Sequence, residues 1–321
     1  MAALSDCHAE PLIELRRVTA EHLVPLLEEE TSAWNTQLEW DFRPSADLVR
    51  RFVHIRALSG FVLMDGSELA GYSYYVCEES KGLIGDLYVR QNYRTAENER
   101  ALLEAVLGAL TQTPGIRRVE AQIMMLGSPA DRLAPYKNWY RSYPRYYLRA
   151  ALGDAVRLPS REVPNIAITP WGEERQQETA RLIASAYEGH IDSQVNDQYC
   201  SPGGASRFLM NIVQYPGCGS FFAPASYAAA DAKTGALSGI SLASLIAADV
   251  GHITQVCVAP SHRGTGLGYE LMRRSLLALA AHGCRSVSLT VTAANEPALR
   301  LYRQMGFEHR HNFTACVWQA H

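Results

Sequence analysis

Apolar residues recur along the chain with two periods, and the switches between them mark out the same series of elements twice. In the first half "IELRRVT" alternates like a strand and leads into the amphipathic "AEHLVPLLEEE". Two further strand-like runs, "GFVLMDG" and "LAGYSYYVC", meet through Asp65-Gly66, a pair suited to a tight hairpin turn. In the second half "NIAIT" precedes the helical "EERQQETARLIASAY", and "SYAAADAKTGALSGISLASLI" turns back through Lys233-Thr234-Gly235. Each half then carries one related segment. "GLIGDLYVRQNYRTAENERALLEAVL" from Gly82 and "GHITQVCVAPSHRGTGLGYELMRRSL" from Gly251 align without a gap at an offset of 169 residues. Gly82/Gly251, Ile84/Ile253, Val89/Val258, Arg94/Arg263 and Leu102/Leu271 are identical pairs. "GIRRVEAQIMM" and "GCRSVSLTVTA" continue the match.

Both halves therefore read β-α-α-β-β-β-α-β-α-β. This predicts an α/β fold (α+β mixed sheet) with helices on both faces, built twice. The stretch "ALGDAVRLPSREVP" mixes Gly, Pro and charge between patterned segments. The domains expected are thus 1–150 and 165–321, joined by a linker over 151–164.

The second copy of the repeat carries the clearer chemistry. The β-branched run Ile253 to Val258 reads as a central strand, "APSHRGTGLG" follows, and Leu271, Met272, Ser275, Leu276 and Leu279 mark one face of the next helix. Strand, glycine loop and helix place successive backbone N–H groups at a helix N-terminus, where partial positive charge suits phosphate oxygens. Glycine serves there because a Cβ would hold the phosphate away from the backbone. A Walker loop would end in Gly-Lys-Ser/Thr, and a dinucleotide fingerprint would need glycine where Tyr269 stands. Further on, in "LTVTAANEPALRLYRQMGFE", Asn295 is placed to cap a helix, Pro297 lies in its first turn, and Gly306 stands where a left-handed C-terminal residue belongs.

The Arg-x-x-Gly-x-Gly run from Arg263 to Gly268 and the N-x-x-A-x-x-L-Y-x-x-x-G-F string from Asn295 to Phe307 resemble the two signatures of the Gcn5-related N-acetyltransferase (GNAT) superfamily. The whole chain is similar to its tandem two-domain members, the mycothiol synthase type among them, in which one half is active. The first half resembles a degenerate copy. Glu97 and Glu99 replace Gly266 and Gly268, putting carboxylates where a diphosphate would lie, and the second signature is missing. Arg94 remains in that copy as a potential anion contact.

The resemblance implies an N-acetyltransferase that moves an acetyl group from acetyl-CoA to a primary amine by direct attack in a ternary complex. It implies that Val256, Cys257 and Val258 border the pantetheine and that Arg263, Gly264, Thr265, Gly266, Leu267 and Gly268 cradle the diphosphate. Asn295, with Ala298 after it, would contact the pantetheine or fix the strand-to-helix turn. Tyr302 is the expected acid for the departing thiolate. The strands lack the carboxylate base of many relatives, so His252 is expected as base, with His190, Asp192 and Asp197 as alternatives. The acceptor is expected to be a small-molecule or peptide amine. A non-catalytic acyl-CoA sensor and a protein adaptor are the competing readings.

Composition narrows the partners without changing this picture. At 321 residues, with 47% hydrophobic residues, 20% charged residues and a net charge of −3, nothing points to nucleic acid or an anionic membrane. "MAALSDCHAEPLIEL" does not read as a secretory signal, and no apolar stretch reads as a membrane span, so a cytoplasmic protein is expected. Seven cysteines, an odd number without a CxxC pair, predict reduced thiols and no metal site. Oligomeric state is not specified by any motif.

Overall fold

The computed structural model describes residues 12–153, 157–215 and 217–319. Cys7, most of the N-terminal stretch read above and residues 154–156 of the expected linker lie outside the described residues. In chain order the elements begin β1 (Leu12–Glu14), α1 (Ala20–Leu38), α2 (Arg43–His54), β2 (Ser59–Asp65), β3 (Glu68–Glu78), β4 (Lys81–Val89) and α3 (Ala96–Gln112). Next come β5 (Arg118–Ile123), α4 (Ala130–Leu133), β6 (Tyr140–Ala151), β7 (Ile166–Pro170), α5 (Gln176–Ala186), α6 (Ile191–Val195) and α7 (Pro202–Gln214). The series ends with β8 (Ser220–Phe221), β9 (Tyr227–Asp231), β10 (Leu237–Ala247), β11 (Val250–Val258), α8 (Leu267–His282), β12 (Ser286–Thr292), α9 (Glu296–Gln304) and β13 (Glu308–Gln319).

These elements form two units whose division departs from the 1–150 and 165–321 boundary expected above. Among the described residues, the first unit holds those up to Thr36, Phe42–Tyr143 and those from Phe313 on; the second holds Gln37–Asp41 and Pro144–Asn312. In the first the strand order is β1-β2-β3-β4-β5-β13, antiparallel except for β4 beside β5. In the second it is β6-β12-β11-β10-β9-β7, antiparallel except for β11 beside β12, with β8 pairing β10. Each unit is thus closed by a strand from the other half of the sequence. Residues 314–319 of β13 pair with β5, and residues 145–151 of β6 pair with β12. An alternating pattern identifies a strand and its buried face but not its neighbour, which is why the sequence placed the boundary after β6.

Corresponding irregularities recur at the spacing of the repeat. Gly85 is bulged out of the β3–β4 ladder and Thr254 out of the β10–β11 ladder. The parallel ladders stop at Ile84–Ala121 and Ile253–Leu289, although all four strands run on. A gap therefore opens between the two parallel strands of each unit. Helix α3 buries Leu102, Leu103, Val106 and Leu110 against the first sheet. In the second unit Met272, Leu276 and Leu279 of α8 cover one face, while Ile183 of α5 and Leu209 of α7 cover the other with Ile240, Leu242 and Cys257.

The first unit also buries a carboxyl pair. Glu30 of α1 accepts from Tyr72 Oη at 2.8 Å and Trp34 Nε1 at 3.3 Å, and a side-chain hydrogen bond joins it to Asp86 of β4. Burial, then the negative Asp86, push the Glu30 pKa well above its ordinary 4.5, so the pair shares a proton in the folded state. The unfolded chain releases that proton above pH 4.5, and folding must take it back. The pair's contribution is therefore full below about pH 4.5 and is lost as pH rises toward the folded value, by up to about 1.4 kcal/mol per pH unit. Glu30→Gln keeps an acceptor for Tyr72 and supplies an N–H for Asp86. It is expected to raise the melting temperature at pH 8 by several degrees and to change it little at pH 4.5, as thermal melts across pH would reveal.

Candidate active site

The glycine loop in the second unit is shaped by backbone conformation. Pro260–His262 form a single helical turn after β11, and Gly264 and Gly266 then take φ of +77° and +89°, where a side chain would strain the chain. Gly266 is the N-cap of α8 and offers no side-chain cap, so the first-turn N–H groups from Leu267 onward lack the partner that a capping residue would provide. A Cβ on Gly264 would meet nothing within 4 Å. A Cβ on Gly266 would, among the described residues beyond its chain neighbours, meet only the Arg161 side chain, 3.4 Å away at Cδ. The glycines leave the loop's backbone open, and an open cradle at a helix N-terminus fits a phosphate group.

The strand that leads to the loop presents its main chain to the gap. Ala259 N–H is bonded to Ser238 O, on the β10 side. Alternation then turns the N–H and C=O groups of Val258 and Val256 away from β10, toward the space where β12 has parted from β11. Cys257 points its side chain into the core beneath α5 and α7, and burial pushes its thiol up to about 12. Asn295 caps α9, its Oδ1 accepting from Ala298 N–H at 3.3 Å, so both groups are engaged in fixing the turn. Arg263 does not reach into the loop; its guanidinium donates to Ala186 O at the end of α5. Thr265 donates its hydroxyl to His262 O at 2.8 Å within the loop.

Beside the gap stands a polar cluster that the sequence did not reveal as a unit. Thr290 and Thr292 lie two residues apart on one face of β12, and Arg145 of β6 donates to both hydroxyls at 3.2 Å. Thr292 Oγ1 donates to Asp192 Oδ1 of α6; Arg145 Nη1 is 3.7 Å from the same oxygen. His190 Nδ1 accepts the Asp192 backbone N–H at 3.1 Å and lies 3.6 Å from Oδ2. Tyr302 of α9 is buried in electrostatic reach of this group. Burial raises its pKa above the ordinary value, with Asp192 adding to the shift and Arg145 opposing it. Tyr187, stacked on Tyr199 with centroids 4.5 Å apart, takes a hydrogen bond from Gln255 Nε2 at 2.9 Å, and its pKa too is raised by burial and by Tyr199 and Asp192.

His252 is not brought to that cluster. Its Nδ1 is 2.8 Å from Ser288 Oγ and its ring lies 5.1 Å from Trp40, all within the second unit. Ser288 is four residues before Thr292, a span of about 13 Å along the strand. Burial depresses the His252 pKa to about 3, so the ring is neutral in ordinary conditions. A histidine that opens a strand looked available from sequence, but the fold encloses it. Of the alternatives named above, Asp192 and His190 join the cluster. Arg145 was missed because sequence placed it in the other domain; its charge within the aromatic run "YPRYY" was the only signal.

In the first unit the corresponding features are closed. Helix α3 begins at Ala96, the counterpart of Thr265, and Thr95 Oγ1 caps it by accepting from Asn98 N–H at 3.2 Å. Arg94 donates through Nε and Nη2 to Val89 O at 3.2 and 3.1 Å, and its guanidinium carbon lies 5.2 Å from the Tyr88 ring centre. Glu99 is buried, its two oxygens accepting from Gly127 N–H at 2.6 Å and Ser128 N–H at 2.9 Å. Glu97 remains exposed. The chain's own groups therefore take up the helix donors and the strand-end carbonyl that stay open in the second unit.

The model of the family described as "Acetyltransferase (GNAT) family" matches residues 198–307, which include the glycine loop and α9. A mycothiol acetyltransferase from Thermobispora bispora is 31% identical over 256 residues, covering 77% of this chain and 79% of that protein. One from Thermomonospora curvata is 29% identical over 255 residues, covering 78% and 79%. Among solved structures, a tandem GNAT protein from the clavulanic acid biosynthesis pathway covers 97% of this chain and 98% of its own with a TM-score of 0.66. At 17% identity that is a likeness of fold.

Proposed function

Since the chain belongs to the acetyltransferase (GNAT) family and is an acetyl-CoA-dependent acyltransferase, we propose that its second unit performs the transfer, to a primary amine, while its first unit binds no acyl donor. The observation that carries this is the contrast between the two helix N-termini: α8 is open behind two left-handed glycines, and α3 is capped by Thr95 with Glu99 folded beneath it.

Acetyl-CoA, when bound, supplies a thioester carbonyl open to attack by an amine. The Gly264–Gly268 backbone and the first turn of α8 hold its diphosphate, and the main chain of Val256 and Val258 lines its pantetheine. Asp192, kept in place by Thr292 and Arg145, attracts the acceptor ammonium and takes its proton. The new C–N bond then forms directly, as the C–S bond breaks. Tyr302 stays protonated through the neutral range because its pKa is raised; it gives its proton to the departing sulfur and is reprotonated by the second proton that the nitrogen sheds as the amide forms. Arg145 and Thr290 hold the β12 edge against which this exchange occurs. The acceptor is a small-molecule or peptide amine; the aromatic faces of Tyr187 and Tyr199 beside Asp192 suit a cationic one.

Calorimetric titration with acetyl-CoA is expected to give one site per chain, with free CoA appearing only after an amine is added. Two sites would overturn the assignment of the first unit. Release of CoA with retention of an acetyl group on the protein would overturn direct attack, and binding without turnover of any amine would favour an acyl-CoA sensor.

A further inference from the structure

The arginine of the glycine-loop signature is turned away, yet a different arginine lies over the loop. Arg161 belongs to the stretch before β7. Its Cδ and Nη1 lie 3.4 and 3.9 Å from where a Cβ on Gly266 would stand, and among the described residues no other beyond the glycine's chain neighbours comes within 4 Å of that point. Three contacts hold it there. Its guanidinium carbon is 4.0 Å from the ring centre of Tyr269 in the first turn of α8. Its backbone N–H donates to Glu270 Oε2 at 3.1 Å, and Tyr269 Oη donates to Pro159 O at 3.0 Å. Val163, just beyond, packs against the cluster formed by Ala229, Leu267 and Leu271. Residues 159–163 are therefore strapped onto the start of α8 by groups on α8 itself.

The charge on this strap is uncommitted. Glu270, the nearest carboxylate on the helix, is buried and holds Arg273 and Arg274. Among the described residues no carboxylate forms an ion pair with Arg161, whose side chain is exposed. A planar guanidinium backed by an aromatic ring leaves its N–H edge free, and such an edge matches two phosphate oxygens.

We propose that Arg161 is a binding residue for the diphosphate of acyl-CoA, supplying the cationic side chain that Arg263 does not. The proposal rests on the assignment of the glycine loop as the acyl-CoA cradle. It gives a role to a stretch that sequence reads as linker, and it makes the donor site of the second unit depend on residues between β6 and β7.

The test is calorimetric titration of the full chain with CoA, with dephospho-CoA, which keeps the diphosphate but lacks the 3′-phosphate, and with pantetheine, which lacks both. Arg161→Met keeps a long side chain over Tyr269 without charge. It is expected to weaken CoA and dephospho-CoA binding alike by about tenfold or more, to leave pantetheine binding unchanged, and to flatten the salt dependence of CoA binding. Arg161→Lys, which keeps a point charge, should recover part of the loss and guards against a fold defect in the first variant. Unchanged CoA affinity in Arg161→Met overturns the proposal, as does a loss seen with CoA but not with dephospho-CoA, which would place the contact on the 3′-phosphate. Gly266→Glu separates the two levels: if it abolishes CoA binding while Arg161→Met does not, the role of Arg161 alone fails, and if neither matters the cradle assignment fails with it.

Discussion

Gly266→Glu is expected to abolish acetyl-CoA binding, raising Kd at least about 100-fold, or close to 3 kcal/mol. Two effects add. Gly266 sits at φ +89°, so any side chain there strains the turn by about 1 kcal/mol. The larger effect is electrostatic, because a carboxylate at the mouth of α8 opposes a doubly charged diphosphate where the helix donors would otherwise receive it. The new side chain would also lie against Arg161 and draw its charge away from the ligand. The site is half-buried at the loop surface, so the variant should remain folded, with a melting temperature within a few degrees of the parent. Gly266→Ala adds the strain without the charge and should lose much less. Calorimetric titration together with thermal melts checks all three statements, and an unchanged Kd for Gly266→Glu would falsify the loop assignment.

Tyr302→Phe is expected to lower kcat by about 100-fold while leaving KM for acetyl-CoA within about threefold. Tyr302 is buried among apolar partners, with Phe307 at a ring distance of 5.9 Å, so loss of the hydroxyl leaves the packing intact. What disappears is the proton donor. Because burial and Asp192 raise its pKa, the parent enzyme should keep its activity well past pH 8 on the alkaline side, and the variant should respond little to pH there. Steady-state kinetics from pH 6 to pH 10 would decide, and an unchanged kcat would remove Tyr302 from acid catalysis.

The sequence made some features of this fold legible because they depend on local backbone chemistry. The glycine loop after β11, the left-handed Gly306, the Asn295 cap and the hairpin at Asp65-Gly66 are each written in one or two residue types. The repeat was legible as well, and the matching bulges at Gly85 and Thr254 show that the alignment followed real geometry. Features that depend on distant partners were not readable. Nothing in "YPRYYLRAA" states that Arg145 will face Thr290 and Thr292, roughly 145 residues away, because that pairing arises from which strands neighbour one another. His252 misled for the opposite reason: enclosure by Ser288 and Trp40 is a packing outcome, and a strand pattern does not say how deeply its first residues lie. Glu99 was read through its charge. Its burial under the Gly127–Ser128 backbone gives it a second role, as a brace for the loop after β5.

The exchanged closing strands bear on how the chain is made. A ribosome delivers β5 early, but the segment that satisfies its open edge, Thr314–Gln319, follows roughly 190 residues later. At common elongation rates that is a wait of about ten to forty seconds. During it β5 exposes an unpaired row of N–H and C=O groups, a template for wrong pairing. The first unit is therefore the last to be finished, and the second unit, which receives β6 before its own strands emerge, is assembled ahead of it. Cutting the gene between residues 151 and 164 would yield two fragments that each lack one edge and carry one surplus strand, so each would fold poorly alone and be rescued by co-expression with the other.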